Sequence, residues 1–382
     1  MKHNQQNPAF EFHLAPVHFN RSTDRSLLQY CLGGTLYMPA TKRIADKILA
    51  RQIPGLTSLV MCLEDAIRAD DVALAEENVL GELRRLSEAI ESRNFHYDDL
   101  PLFFVRVRNQ AQFTDFASRL DEATCSVLSG FVFPKFSSET ASAFFRVLND
   151  INVAHQTHMY GMPILEGRTI AFREERNQEL ARLVNQIKPF EDLTLNIRVG
   201  GTDLSSLFGV RRDVNTTVYD LLPVRDALAD IVNFFSRCEN DYTISGPVWE
   251  YFLAAKQDDL SDLVGQKLNR SILNQTAILD DAVDGLLRET LMDKANGFVG
   301  KTVIHPSHLP YVNALQSVTL EEYEDAKQIL ETDGGVIKSG HLNKMNEVNP
   351  HRCWAHRVTM RAKAYGVIQD ASDYTKLFGR QG

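Results

Sequence analysis

The 382-residue sequence is poor in cysteine, has no long apolar run and carries no excess of basic residues. Its five cysteines (Cys31, Cys62, Cys125, Cys238 and Cys353) are scattered, odd in number and form no CxxC pair. That usage argues against a disulfide scaffold and matches chains kept in a reducing cytoplasm. No uninterrupted apolar stretch approaches the length that spans a bilayer. The opening residues, MKHNQQNPAFEFHLAPVHFN, lack the apolar core of a secretory signal. A cytoplasmic protein without a membrane partner is therefore expected. Lys plus Arg number 41 against 50 Asp plus Glu, a net charge of −9. Nucleic-acid binders carry the opposite, basic footprint, so that class is disfavoured. Internal repeats and low-complexity tracts are missing as well. Apolar residues make up 44% of the chain, enough to offset chain entropy and exclude disorder.

What is present is an alternation. Eight β-rich runs occur, at 34–40, 58–65, 101–109, 130–136, 157–167, 194–204, 242–248 and 299–306. Each is rich in Val, Ile, Phe, Tyr or Thr and stops at Gly, Pro or a charged residue. Between them the apolar residues recur at helical spacing. Val72, Ala75, Val79, Leu83, Leu86 and Ile90 mark one helix face, and Val224, Leu228, Ile231, Val232 and Phe235 another. Strands alternating with helices imply parallel βα units. Eight such units predict an α/β fold, the (β/α)8 TIM barrel, for which about 250 residues is typical. The excess falls in a long seventh βα connection (249–298) and a C-terminal helical and turn extension. The expected division is 1–30 as an N-terminal extension, 31–308 as the barrel and 309–382 as a C-terminal extension on the barrel or a neighbouring subunit. Thr319 and Glu322 form a capping-box pattern in that tail, and Asp333-Gly334-Gly335 a turn.

Barrel enzymes carry their chemistry at the C-terminal strand ends. Here the second run ends in Glu64-Asp65, the third carries Arg106 and Arg108, and the fourth ends in Pro134-Lys135. The fifth ends in Glu166, the sixth in Asp203 and the eighth in His305-Pro306. Taken singly, Glu166 or Asp203 reads as a helix cap. Lys135 alone reads as a surface group and His305 as a structural hydrogen-bonder. Arg106 reads equally well as a structural partner of Glu64 or Asp65. Taken together, carboxylates converging on one mouth repel unless a cation lies between them. Mg²⁺ suits such a set, because it takes one or two carboxylates and keeps water or substrate oxygens elsewhere; Mn²⁺ is the alternative.

Residues 295–302, Ala-Asn-Gly-Phe-Val-Gly-Lys-Thr, satisfy a relaxed phosphate-loop pattern. That loop needs a strand before it and a helix after it. The order here is reversed, so the stretch reads as the entry to the eighth strand.

The ordered strand ends resemble the citrate lyase β-subunit and HpcH/HpaI aldolase superfamily of phosphoenolpyruvate/pyruvate-domain TIM barrels. The resemblance is carried by Tyr37-Met38-Pro39, Cys62-Leu63-Glu64-Asp65-Ala66, Val105-Arg106-Val107-Arg108-Asn109 and Phe133-Pro134-Lys135. It continues through Pro163-Ile164-Leu165-Glu166, Gly200-Gly201-Thr202-Asp203-Leu204 and Gly297-Phe298-Val299-Gly300-Lys301…Ile304-His305-Pro306. It implies Glu166 and Asp203 as Mg²⁺ ligands and Arg106 as the group on the substrate carbonyl or enolate oxygen. It implies Glu64 and Asp65 as the acidic pair beneath the metal. Lys135, Gly201 and Thr202 join Arg106 as substrate-binding candidates. The implied reaction is reversible carbon–carbon bond cleavage beside a carbonyl, on a 2-oxo acid or related small carboxylate.

Two departures refine this. Members acting on CoA thioesters begin the barrel with an Arg-Ser pair, where this chain has Leu32-Gly33-Gly34-Thr35. The change counts against CoA and favours a CoA-independent biosynthetic aldolase making a sugar- or nucleoside-like metabolite. The family tail carries an Asp that enters a neighbouring subunit's site. In Gly340–Pro350 the nearest acid is Glu347, which reads equally as an exposed turn carboxylate. A homo-oligomer is expected on these grounds. The altered tail also leaves open a barrel retained for binding or regulation. The long tail and these departures look like a bacterial subgroup of carbon–carbon bond lyases often encoded with tellurite-resistance and stress-response genes.

Overall fold

The computed structural model describes residues 1–240, 242–252, 281–340 and 344–379. All eight predicted runs form strands: β1 Gly34–Pro39, β2 Ser58–Cys62, β3 Leu102–Arg106, β4 Leu128–Phe133, β5 Tyr160–Leu165, β6 Ile197–Val199, β7 Ile244–Ser245 and β8 Lys301–Val303. They pair in parallel, in the order β7-β6-β5-β4-β3-β2-β1-β8. A bridge between Gly246 and Lys301 joins the two ends, and Thr302 N–H donates to the Gly246 carbonyl at 3.0 Å. The sheet is thus closed into a (β/α)8 barrel.

Strand alternation sorts the side chains. On β3, Phe103 and Val105 pack outward against the helices, while Leu102 and Phe104 join the barrel interior. Arg106 is in phase with Leu102 and Phe104, so it also points inward. On β6, Ile197 and Val199 are outward, which turns Arg198 inward. The helix Val72–Glu91 buries Ala75, Val79, Leu83 and Leu86, the face read from the spacing. The helix Leu222–Phe235 buries Val224, Leu228, Ile231 and Phe235. Fully covering one such aliphatic side chain stabilises by about 1.5–3 kcal/mol.

The segment before β1 covers the N-terminal ends of the strands. Arg21 Nη1 donates to the Leu128 carbonyl at 2.7 Å, and Arg25 Nε to the Thr194 carbonyl at 2.8 Å. Met1, Phe19, Leu28 and Leu32 continue the apolar interior downward from Val60 and Phe104. The other mouth is therefore the open one. After β8, the helices Leu320–Glu331 and Val348–Tyr365 pack on each other around Ala326, Ile329, Ala355 and Val358. The Thr319–Glu322 capping box forms as predicted. Gly334 and Gly335 both take positive φ and lead into a hairpin of Val336–Lys338 and Met345–Glu347. No helix among the described residues is long and apolar enough to cross a membrane.

Cysteine usage argues against a disulfide scaffold, and a single cross-link is present among the described residues. Cys238 and Cys353 are joined in a disulfide with Cα atoms 6.0 Å apart, while Cys31, Cys62 and Cys125 are free and buried. The pair links the end of the sixth βα unit to the tail helix across 115 residues. Spacing along the chain carries no trace of a contact that only packing creates. The seventh βα connection contains the helix Asp281–Ala295, and its residues 253–280 lie outside the described residues.

Candidate active site

A cavity of about 430 Å³ opens at the C-terminal ends of the strands. Its lining includes Tyr37, Arg106, Glu166, Arg198, Asp203 and Glu250. The predicted Asp65, Gly201 and Thr202 also line it.

Glu166 follows β5 directly and is 3% exposed. Its Oε1 accepts the Lys135 backbone N–H at 2.8 Å. That donor is aimed by a left-handed backbone at Lys135, φ 47°, which is uncommon for a residue with a β-carbon. Gly200 packs against the carboxylate from the other side. Asp203 stands in the first turn of the short helix Gly201–Ser206, two residues past the β6 loop. Burial, and after it the charge of Asp203, pushes the Glu166 carboxyl well above the usual range. Burial, and after it the charge of Asp65, pushes Asp203 up. Two carboxyls raised by burial and by a neighbouring negative charge make a mouth in which a bound cation would be stabilised.

Arg106 closes one side. Its Nη2 lies 2.6 Å from Glu64 Oε2 and 3.2 Å from Asp65 Oδ2, and its Nε lies 3.1 Å from Cys62 Sγ. Arg106 thus pairs with the acids, as its structural reading expects, and also lines the cavity. Glu64 is buried and also binds the Lys135 ammonium, which sits 3.6 Å from Asp65 Oδ1. Burial, ahead of all other causes, raises the Glu64 carboxyl. The Lys135 side chain turns to this acidic pair and is not among the cavity-lining residues. Its backbone, through Glu166, is its closer link to the site.

Other candidates fall elsewhere. Arg108 is turned aside, with Nη1 3.4 Å from the Leu63 carbonyl. His305 Nδ1 meets Ser307 Oγ at 2.7 Å, and its ring stacks on Phe252 at 4.5 Å. Glu347 is exposed on the tail hairpin, outside the cavity lining of its own chain. Residues 341–343 of the same tail stretch lie outside the described residues. Lys301 of the relaxed phosphate-loop pattern is fully buried, 2.8 Å from Glu289 Oε1 and 2.7 Å from Asp293 Oδ2. It anchors β8 to the helix Asp281–Ala295 and faces no solvent.

Sequence reasoning missed Arg198 and Glu250. Arg198 was legible in principle, because Ile197 and Val199 flank it in an alternating strand. Glu250 lies in the loop after β7, where its Oε1 accepts from Thr202 Oγ1 at 2.9 Å and its Oε2 from Arg212 Nε at 2.7 Å. Irregular backbone gives no periodic signal for such a residue.

A test of the metal reading is the donor set. Glu166 and Asp203 offer hard oxygen donors and the uncompensated charge that Mg²⁺ requires. Among the described residues, no cluster of three or more His, Cys, Asp or Glu forms a more extensive site. A two-carboxylate site that leaves positions for water or substrate fits Mg²⁺ better than a structural zinc cage.

The family described as carbon–carbon bond lyase of the TIM-barrel fold matches residues 26–367. No curated protein matches the chain in sequence. Among solved structures, the protein CitE from Mycobacterium tuberculosis, in complex with magnesium, acetoacetate and coenzyme A, aligns at 17% identity and TM-score 0.51. The alignment covers 86% of this chain and 97% of that one. The Haloferax volcanii malate synthase, native at 3 mM glyoxylate, aligns at 13% identity and TM-score 0.49, over 76% of this chain and 75% of that one. The first of these supports the barrel fold.

Proposed function

The chain belongs to the carbon–carbon bond lyase family of the TIM-barrel fold, and from that premise we propose a Mg²⁺-dependent lyase or aldolase acting on a 2-oxo acid. Membership bears out the resemblance read from the strand ends. One observation carries the finer reading: Glu166 and Asp203 are both raised by burial and neighbouring negative charge, beside the Arg106 guanidinium. The CitE structure with magnesium and acetoacetate, a 3-oxo acid, is a precedent for a metal together with a small oxo carboxylate in this fold.

Glu166 and Asp203 would hold the metal. Bound there, Mg²⁺ supplies Lewis-acid polarisation of a carbonyl oxygen. Negative charge that develops on the substrate as the carbon–carbon bond breaks would also face the Arg106 guanidinium, which lines the cavity. Arg106 is the fixed cation for the developing charge, and fixed donors of this type contribute about 2.7–4 kcal/mol. Glu64 holds Arg106 in place through its 2.6 Å contact. The Lys135 N–H orients Glu166, and Gly201 and Thr202 form part of the wall against which the substrate lies.

Calorimetry with oxaloacetate or pyruvate tests this. The wild type binds the ligand only when Mg²⁺ is present, and Glu166→Ala does not bind it. Identical behaviour of the two proteins removes the metal site.

A CoA-independent reaction is favoured by a specific observation at the start of β1. Gly33 has φ 60°, and a β-carbon there would lie 2.5 Å from Asn313 Oδ1 and 2.6 Å from His3 Cε1. A side chain at this position has neither the space nor the backbone conformation. Tight, saturable binding of acetyl-CoA would count against the reading. A homo-oligomer in which Glu347 reaches a neighbour's mouth remains the proposal for the tail, and light scattering that gave a monomer at micromolar concentration would remove it.

A further inference from the structure

Arg198 is 1% exposed and lies on the inner face of β6, lining the cavity. Burying a guanidinium is unfavourable unless it is paired and hydrogen-bonded. Its fork is solvated by hydroxyls alone. Nη1 is 3.3 Å from Thr35 Oγ1 and 3.5 Å from Ser245 Oγ, and Nη2 is 2.9 Å from Thr302 Oγ1. Nε has no partner. Among the described residues no carboxylate oxygen lies within 4 Å of it. Arg106 stands in contrast, because it is ion-paired with Glu64 and Asp65. The two guanidiniums flank one ring. Arg106 Cζ is 5.9 Å and Arg198 Cζ 5.4 Å from the Tyr37 centroid. Both guanidiniums belong to residues that line the same cavity.

Resting on the 2-oxo acid reading, we propose that Arg198 binds a second, distal carboxylate of the substrate, so that the enzyme selects a dicarboxylic 2-oxo acid over its monocarboxylic analogue. The metal and Arg106 serve the 2-oxo end, and Arg198 is the cation left over for the other end. A carboxylate suits it better than a phosphate. One guanidinium matches one negative charge and offers two parallel donors to two oxygens. A phosphate dianion would leave a buried charge unbalanced.

The probes are oxaloacetate and 2-oxobutanoate, equal in chain length and different in the distal group, titrated with Mg²⁺ present and absent. The wild type is expected to bind oxaloacetate about tenfold or more tightly than 2-oxobutanoate, as a charge-assisted hydrogen bond predicts. In Arg198→Met the preference collapses while 2-oxobutanoate binding is kept, and Arg198→Lys restores part of it. A purely structural arginine would lower the melting temperature without changing the ratio. Equal wild-type affinities overturn the proposal even if neither variant folds, and so does a preference that survives in Arg198→Met. Oxaloacetate binding that depends on Arg198 but not on Mg²⁺ sustains this site and overturns the metal reading. Failure of both ligands to bind overturns the 2-oxo acid reading and the proposal with it.

Discussion

Gly200 lies against the carboxylate of Glu166, which occupies the space a β-carbon at position 200 would need. The two residues end neighbouring strands, since Leu165 pairs with Val199. The glycine therefore sets where the Glu166 oxygens can sit. Gly200→Ala is expected to displace that carboxylate and weaken Mg²⁺ binding at least about tenfold. Overpacking of this kind destabilises by about 1–3 kcal/mol. Metal titration calorimetry, with circular dichroism to follow the fold, reads both effects. Unchanged metal affinity in a folded Gly200→Ala protein would sever Glu166 from the metal.

Lys301 is the test of a structural assignment. Both of its carboxylate partners are fully buried, and Glu289 also binds Arg212. Removing one partner from a buried ion pair destabilises by about 3–5 kcal/mol. Lys301→Met should lose that much in denaturant unfolding, with Mg²⁺ affinity unchanged wherever the variant remains folded. Wild-type protein should show no saturable ATP binding. A nucleotide complex that depends on Lys301 would restore the phosphate-loop reading.

The third expectation concerns pH. His3 is fully buried and stacks on Tyr365 at 4.3 Å between ring centroids. Its Nε2–H donates to the Cys31 carbonyl at 2.9 Å, and Nδ1 has no partner. Burial, opposed only in part by the Cys31 bond, lowers its pKa from 6.5 to about 3. Between those values the unfolded chain binds a proton that the folded chain does not. Stability is therefore complete above pH 6.5 and falls as pH drops toward 3, by at most about 1.4 kcal/mol per pH unit from this group. Melting curves of wild type and His3→Gln at pH 7.5 and 5 check the sign. The variant should show the shallower decline, and parallel declines would exclude His3 as a source.

The barrel was legible because its determinants are local and periodic. Alternation over Leu102–Arg106 and helical spacing over Val72–Ile90 survive folding, since each side chain keeps the face its backbone assigns. Strand ends were legible for the same reason: a hydrophobic run that stops at Glu64 or Glu166 delivers that acid to the mouth whatever lies opposite. The sequence alone thus determined the fold class, the order of the strands and the carboxylates and arginine gathered at one end. The tertiary structure decided what each charge faces. It bound Lys135 to Glu64, sealed Lys301 between Glu289 and Asp293, joined Cys238 to Cys353 and left Arg198 among hydroxyls. Partners so distant along the chain meet only when the barrel closes, and electrostatic energy depends on separation in space and on burial, neither of which a linear pattern records.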